Sequence, residues 1–235
     1  MRHARVERWS RGNSVIHRRH AAAKILAALV LLVCIASLTE RTPAICALYL
    51  ALLVVSSLAA GLPVRAMLRG ASVVLPFALC FALVSALAGD PTRAMMLVVR
   101  GYLSALAVLL LISTTAMPDL IAGLAWLRMP GFLVQVMQFL YRYLIVLMTE
   151  ADAMRRAGLS RAGSIRTLQF RRASAAAGVL FVRSWARAQA IHRAMVSRGF
   201  EGTIPGFRRM KFQFADVAFV AAAAIAITGL RAALR

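Results

Sequence analysis

The stretch GASVVLPFALCFALVSALAG, from Gly70 to Gly89, contains no charged side chain along its whole length. About 20 apolar residues in a helix cross the hydrocarbon core of a bilayer. Similar runs cover 25–39, 42–64, 101–118 and 212–230, the last of which contains Asp216. The first of these runs extends back to residue 21 if Lys24 snorkels. The fold class predicted is therefore all-α, a polytopic membrane protein with about five transmembrane helices.

The composition agrees with this prediction and limits the partners. Of the 235 residues, 61% are hydrophobic, yet the formal net charge is +21. In a soluble protein such a charge would suggest nucleic-acid binding, but here the basic residues flank the apolar runs, as they do at membrane surfaces. We expect membrane lipid as a partner and no nucleic acid. The cysteines Cys34, Cys46 and Cys80 lie inside predicted spans without metal-ligand spacing, so no metal or cofactor site is predicted.

The arginines also predict topology and a division of the chain. The basic N-terminal segment 1–20 is expected in the cytoplasm, before a four-helix transmembrane region at 21–118. The arginine-rich region 119–211 is expected to be cytoplasmic or interfacial, and 212–235 to form the final transmembrane helix. Within the third region, 132–149 is apolar but contains Arg142. It either spans the membrane or lies along the inner leaflet, and the second arrangement keeps the following arginines inside.

The basic region contains amphipathic helices. One stripe at three- and four-residue spacing joins Phe181, Trp185, Ala188, His192 and Met195. A second stripe carries arginines and is suited to headgroups or an acidic partner protein. Gly199 is typical of a residue that ends a helix. These long helices are expected to lie on the cytoplasmic side.

Sequence motifs for catalysis are missing. The chain contains no Gly-x-x-x-x-Gly-Lys-Ser/Thr loop for ATP and no His-Glu-x-x-His pair for zinc. Arg100 and Asp119 are expected to flank the fourth span, so no charged pathway is predicted inside the membrane. A non-catalytic scaffold is the function class that remains.

Motifs along nearly the whole chain resemble the transmembrane T component of energy-coupling factor transporters, the cobalt/nickel (CbiQ) type above all. They read in the family's order: Ser14-x-x-His17 with Lys24, Thr114-Thr115-x-x-Pro118-Asp119-Leu120, Gly123-Leu124, Leu127-Arg128-Met129-Pro130 and Phe139-Leu-Tyr141-Arg142-Tyr143. The family also carries two short arginine motifs at the ends of its cytoplasmic coupling helices. Ala194–Gly202 is similar to the second motif, with Ser197, Arg198 and Gly199 at its centre. Ala153–Gly158 is similar to the first, where Arg155 and Arg156 are both candidates before Ala157 and Arg156 fits better.

The resemblance implies a function for these residues. Arginines of the coupling helices would sit in grooves of two ABC-type ATPase subunits, with Arg183, Arg187 and Arg193 as supporting interface residues. The chain would pass the ATP-driven movement to a small substrate-binding membrane subunit, the S component, for uptake of cobalt or nickel across the bacterial cytoplasmic membrane. The same role in a vitamin importer, for example for biotin, stays open. So does a membrane-tethering or assembly protein with no transport cycle.

Overall fold

The structure, a computed structural model, describes residues 14, 19–38, 43–162, 166–202, 216–217, 221 and 229. These residues are helical with short connections, and no strand occurs among them, which confirms the all-α prediction. The helices are α1 Ala21–Ala36, α2 Pro43–Ala59, α3 Val64–Ala71, α4 Leu75–Leu87, α5 Pro91–Thr114, α6 Met117–Trp126, α7 Gly131–Ala162 and α8 Arg166–Val196; a 3₁₀ turn, Ser72–Val74, joins α3 to α4.

Helix α5 is the centre of the first of two compact units, which comprises residues 1–127 and 208–235. It contacts α1, α2, α3 and α4, while α6 packs against α1. The core between these helices is apolar and includes Ile35, Tyr49, Leu53, Leu103 and Leu106, each at most 2% exposed. A single central helix thus holds the first unit together.

The outward face of α4 is equally apolar but uncovered. Phe77, Leu83, Val84 and Leu87 are each more than half exposed. In water such a surface would favour aggregation, whereas in a bilayer it contacts the equally apolar acyl chains of the lipids. This face is consistent with an integral membrane protein.

Helix length and composition identify three candidate membrane spans among the described residues. They are Val64–Leu87, Pro91–Thr114 and Gly131–Ser160, accompanied by the shorter apolar helices Ala21–Ala36 and Ala44–Ala59. The 132–149 segment therefore lies in a helix that is long and apolar enough to cross, so these criteria leave both of its predicted arrangements possible. Most of the predicted last span, 212–230, lies outside the described residues.

The fourth predicted span, 101–118, has the wrong bounds. Helix α5 begins at Pro91 and ends at Thr114, so Arg93 and Arg100 are part of it. Arg100 consequently lies inside the helix and does not flank it as expected. A charge-free run ends at an arginine, whereas a helix continues through an arginine whose side chain reaches polar surroundings.

The second compact unit, residues 128–207, is a helical hairpin of α7 and α8. Two contacts fix its register: Glu150 pairs with Arg183, and the Gln135 side-chain amide donates to the carbonyl oxygen of Gly202 at 3.0 Å. The earlier residue of α7, Gln135, thus contacts Gly202, which follows the end of α8, while the later residue, Glu150, contacts Arg183 within α8. The two helices are therefore antiparallel. The predicted division of the chain at 118/119 and 211/212 stays a prediction.

Gly123, one of the motif glycines, allows the closest approach in the first unit. A Cβ atom there would lie 2.9 Å from the backbone nitrogen of Ala22 and 3.1 Å from the carbonyl carbon of Ala21. Small residues permit such close helix contacts inside membranes. Helices α1 and α6 are therefore packed backbone to backbone at this point.

We expect Gly123→Ala to lower the free energy of unfolding by about 1–3 kcal/mol, because backbone atoms must move to admit the methyl group. Gly101→Ala is the matched control, since its Cβ would make only an ordinary 3.5 Å contact with Ala78. Thermal unfolding of both variants in the same detergent measures the difference. Equal midpoints for the two variants would contradict the close-packing argument.

Candidate functional site

An apolar groove runs between α7 and α8 in the hairpin unit. Its volume is about 510 Å³, and its walls are almost entirely carbon. Phe132, Val136 and Phe139 line it from α7, and Ile191 and Met195 from α8. A groove of this size and character is large enough to bury several apolar side chains of a partner.

The α8 face that lines this groove differs in part from the predicted stripe. Of the predicted stripe, Ala188, His192 and Met195 line the groove. Phe181 and Trp185 are not among its lining residues and are 67% and 62% exposed. Spacing alone placed them on this face, but the position of α7 decides which part of a broad apolar face is covered.

Glu150 joins the two helices electrostatically. Its Oε1 accepts a hydrogen bond from Nη1 of Arg183 at 3.1 Å, and its Oε2 lies 3.9 Å from Nη2 of Arg187. The three side chains are partly exposed, so each pair contributes modestly to stability. Their main effect is on register, since one carboxylate contacts two consecutive turns of α8.

The end of α8 positions Arg198. The backbone N–H of Phe200 donates to the carbonyl oxygen of Met195, and that of Gly199 to Val196, while Gly199 has a φ of +76°. These two hydrogen bonds form a Schellman motif, which ends a helix at a left-handed residue. The assignment of Gly199 as the helix-ending residue is confirmed, and Arg198 is exposed on the turn immediately before it.

Arg155, Arg156 and Ala157 lie on α7 and are exposed. They are not at the helix end, because α7 continues for roughly two further turns to Ala162. This differs from the position that the resemblance implied for the first arginine motif. Both arginines stay candidates, since neighbouring helical positions point about 100° apart and both side chains are accessible.

The hairpin separates the two motifs. Gly202 lies opposite Gln135, so Arg198 is near the end of the hairpin where α7 begins. Arg156 lies beyond Glu150 toward the other end, ~30 Å away along the helix axis at 1.5 Å per residue. The structure brings Arg183 and Arg187 together on Glu150, whereas Arg193 is exposed elsewhere on α8 and the two arginine motifs are apart.

A buried polar cluster lies in the first unit, which sequence reasoning missed. Lys24 is only 5% exposed, and its Nζ donates to the carbonyl oxygen of Thr114 at 2.9 Å. Asp119 and Asp216 are close enough to act on this ammonium electrostatically. The first run was extendable to residue 21 on the condition that Lys24 snorkels, but α1 begins at Ala21 with Lys24 buried, because acceptors inside the unit replace water around it.

His20 extends the cluster to the C-terminal part of the chain. Its backbone N–H donates to Oδ1 of Asp216 at 3.0 Å, and its Nδ1 accepts from the backbone N–H of Ala22, which caps α1. The ring meets Trp126 edge to face at 6.0 Å. Lys24, the Thr114-Thr115 pair and Asp119 all belong to the quoted motifs. Their membership in these motifs was the signal in the sequence that could have indicated the cluster.

The described residues contain no group of three or more His, Cys, Asp or Glu side chains arranged to hold a metal ion. The cluster combines one buried cation with two carboxylates: Asp216 accepts a hydrogen bond from the backbone of His20, and Asp119 acts on Lys24 electrostatically. What the arrangement offers chemically is a structural link between α1, α5 and Asp216.

These features define a class of protein: an all-helical integral membrane protein with an apolar bundle and a basic helical hairpin that presents exposed arginines. Comparison with known families specifies it further. The chain matches the CbiQ family, described as cobalt transport protein, over residues 12–206, and it belongs to that family.

Two curated relatives share part of the sequence. One is an uncharacterized protein of Methanocaldococcus jannaschii, 34% identical over 99 residues, which are 42% of this chain and 37% of that protein. The other, from Methanocorpusculum labreanum, is named as a fused cobalt transport protein CbiMQ and is 32% identical over 90 residues, 38% of this chain and 15% of that protein. The matched region thus spans well under half of either relative.

We expect Lys24→Met to lower the free energy of unfolding by about 1–3 kcal/mol, since the Thr114 carbonyl loses its buried donor and two carboxylates lose their cation. Arg69→Met, which removes an exposed positive charge from the same unit, is the control and should change little. Thermal unfolding in detergent measures both. A Lys24→Met variant as stable as Arg69→Met would show that the cluster is dispensable.

Gly199→Ala should destabilise the end of α8 by about 1–2 kcal/mol, because alanine is strained at a positive φ. Gly178→Ala, inside the same helix with nothing within 4 Å of the added methyl, should instead be neutral or stabilising. Hydrogen exchange of the amides from Met195 to Phe200 measures the local effect. Unchanged protection in Gly199→Ala would argue against the Schellman cap as the element that positions Arg198.

Proposed function

We propose that the chain is the T component of an energy-coupling factor importer, which transmits movement of two ABC-type ATPase subunits to a substrate-binding membrane subunit. Membership of the CbiQ family carries this proposal. The sequence has no ATP-binding loop, so the energy would come from separate subunits. In this role the chain is a non-catalytic part of an ATP-hydrolysing complex.

The hairpin supports a two-point attachment to the ATPases. Its two arginine motifs are exposed and lie toward opposite ends, which suits one contact with each of two ATPase subunits. Arg198, on the turn that ends α8, and Arg156 on α7 are the residues we assign to these contacts. The guanidinium fork bonds several acceptors in a groove at once, which a lysine ammonium does with less geometric specificity.

Arg183 and Arg187 have a supporting role in this proposal. Because both contact Glu150, they hold α7 and α8 in register and do not have to meet the ATPases themselves. Arg193 has no such contact with Glu150 and is exposed on α8, so it is the supporting arginine best suited to an acidic partner surface.

We assign the apolar groove of the hairpin to the substrate-binding subunit. An apolar groove of this volume can take up apolar side chains of a partner. Movement of the hairpin would then act directly on that partner. The chain would cross the cytoplasmic membrane several times with its N-terminus inside, since this orientation keeps the arginine-rich hairpin in the cytoplasm.

Cobalt is the substrate favoured by the family, with nickel as the related metal ion. The ion would be bound by the substrate-binding subunit, and it would be cargo for the complex. A vitamin such as biotin is the alternative cargo, and a tethering protein without a transport cycle is the alternative function.

Arg198→Ala should reduce cobalt uptake to background in cells that express the whole transporter, while the variant chain still inserts and unfolds at the wild-type temperature. Arg193→Ala should reduce uptake less, and of the pair Arg155→Ala and Arg156→Ala, the second should be the more damaging. Uptake of labelled cobalt, normalised to the amount of chain in the membrane, is the measurement. Wild-type uptake by Arg198→Ala would refute the assigned coupling role.

Copurification in mild detergent tests the proposal as a whole. The tagged chain should recover two ATP-binding-cassette subunits and a small membrane protein, and Arg198→Ala should lose the ATPases selectively. Addition of cobalt, nickel or biotin to the recovered complex then identifies the cargo through the ligand that the small protein binds. Recovery of the chain with lipid alone would favour the tethering function instead.

A further inference from the structure

A second, smaller cavity lies between α4 and α5 in the first unit. Its volume is about 210 Å³, well above the ~30 Å³ that one water molecule occupies in the liquid. Ser85 lines it from α4, and Arg93, Met96, Leu97 and Arg100 line it from α5. The polar groups of its wall are thus two guanidinium groups and one hydroxyl group.

The two arginines are placed to act on one ligand. They are seven residues apart on α5, which puts them on the same helix face about 10 Å apart along the axis. Arg93 is at the exposed side, where its side chain is 66% accessible and pairs with Asp90 at 3.2 Å. Arg100 is partly buried, and its Nε is fully buried.

The buried Nε of Arg100 has no hydrogen-bond acceptor among the residues that the structure describes. A buried donor without an acceptor costs about 1–3 kcal/mol, and more when the group is charged. Met96 on the same wall is 8% exposed, and its sulfur lies 3.9 Å from Sγ of Cys46. An oxyanion in the cavity would balance the positive charges of the two arginines that line it and accept from their guanidinium groups, whereas a metal cation would be repelled.

The surroundings specify what carries the oxyanion. On either side of Ser85 in α4, Val84 and Leu87 are 64% and 80% exposed, and Leu97 on the cavity wall is 42% exposed. A ligand in this position would therefore have a negative head between the arginines and an apolar body along α4. Anionic phospholipids combine a negative headgroup with apolar acyl chains, and an arginine forms hydrogen bonds to their phosphate through several N–H donors.

We propose that the cavity between α4 and α5 is a binding site for the phosphate group of an anionic phospholipid, held by Arg100 and Arg93 with Ser85 as an additional donor. The phosphate would balance the charge of Arg100 and so allow α5 to carry a guanidinium group inside the apolar unit. This site is built from residues of the first unit and does not depend on the proposed transport role.

Native mass spectrometry of the full chain tests the proposal directly. Wild-type chain in detergent is titrated with short-chain phosphatidylglycerol, and in parallel with short-chain phosphatidylcholine and with inorganic phosphate. Arg100→Gln should weaken phosphatidylglycerol binding at least about tenfold, as expected for loss of a charge-assisted hydrogen bond. Arg65→Gln removes an equal charge from an exposed position of the same unit and should bind as the wild type does.

Two further variants keep the test decisive if Arg100→Gln does not fold. Ser85→Leu fills the cavity without a change of charge and should also weaken binding, whereas Asp90→Asn releases Arg93 from its carboxylate and should strengthen it. Equal affinities in the wild type, Arg100→Gln and Ser85→Leu would overturn the site. Phosphate that binds as tightly as phosphatidylglycerol would overturn the lipid assignment, and equal binding of phosphatidylcholine would overturn the preference for an anionic headgroup.

Discussion

The hydrogen bond from the Lys24 ammonium to the carbonyl oxygen of Thr114 joins the first turn of α1 to the last residue of α5. Carbonyl groups at a helix C-terminus lack partners within the helix and attract positive charge. In an apolar unit no water is available to satisfy them, so a buried lysine is an effective cap. Since α5 also contacts α2, α3 and α4, this bond anchors the helix on which the rest of the unit packs.

Asp216 connects the far end of the chain to the same place. Its carboxylate accepts from the backbone of His20 and acts electrostatically on Lys24. A lone lysine in this position would be costly to bury, and a lone aspartate equally so. Together with the Thr114 carbonyl they offset one another's desolvation, which explains why charged residues occur in a chain that is otherwise so apolar.

The register between α7 and α8 is the main constraint in the hairpin. Its helices carry many arginines and a broad apolar face, and a defined register is needed to present both. Glu150 provides that register at a charged position, and Gln135 provides it again near the end of α8. The result is a hairpin that carries an apolar groove between its helices and an exposed arginine motif toward each of its ends.

Much of this was predictable from the residues. Charge-free runs predicted the membrane helices, the Gly199 cap followed from its position after an amphipathic pattern, and the motifs predicted the CbiQ family. Helix ends were less predictable, as α5 shows: the helix begins ten residues before the predicted span, for which Arg100 was taken as the limit. Arg100 was therefore placed outside the helix, and the cavity that it lines could not be expected.

What the sequence determined by itself is the helical membrane class and the family, because both depend on local runs and on motifs in a given order. Tertiary structure alone decided that Lys24 is buried, that Glu150 pairs with Arg183 and Arg187, and that the two arginine motifs lie toward opposite ends of the hairpin. The reason is physical. Periodicity describes one helix and its faces, whereas the register between helices distant in sequence is set by packing and by the few polar contacts that an apolar interior can accommodate.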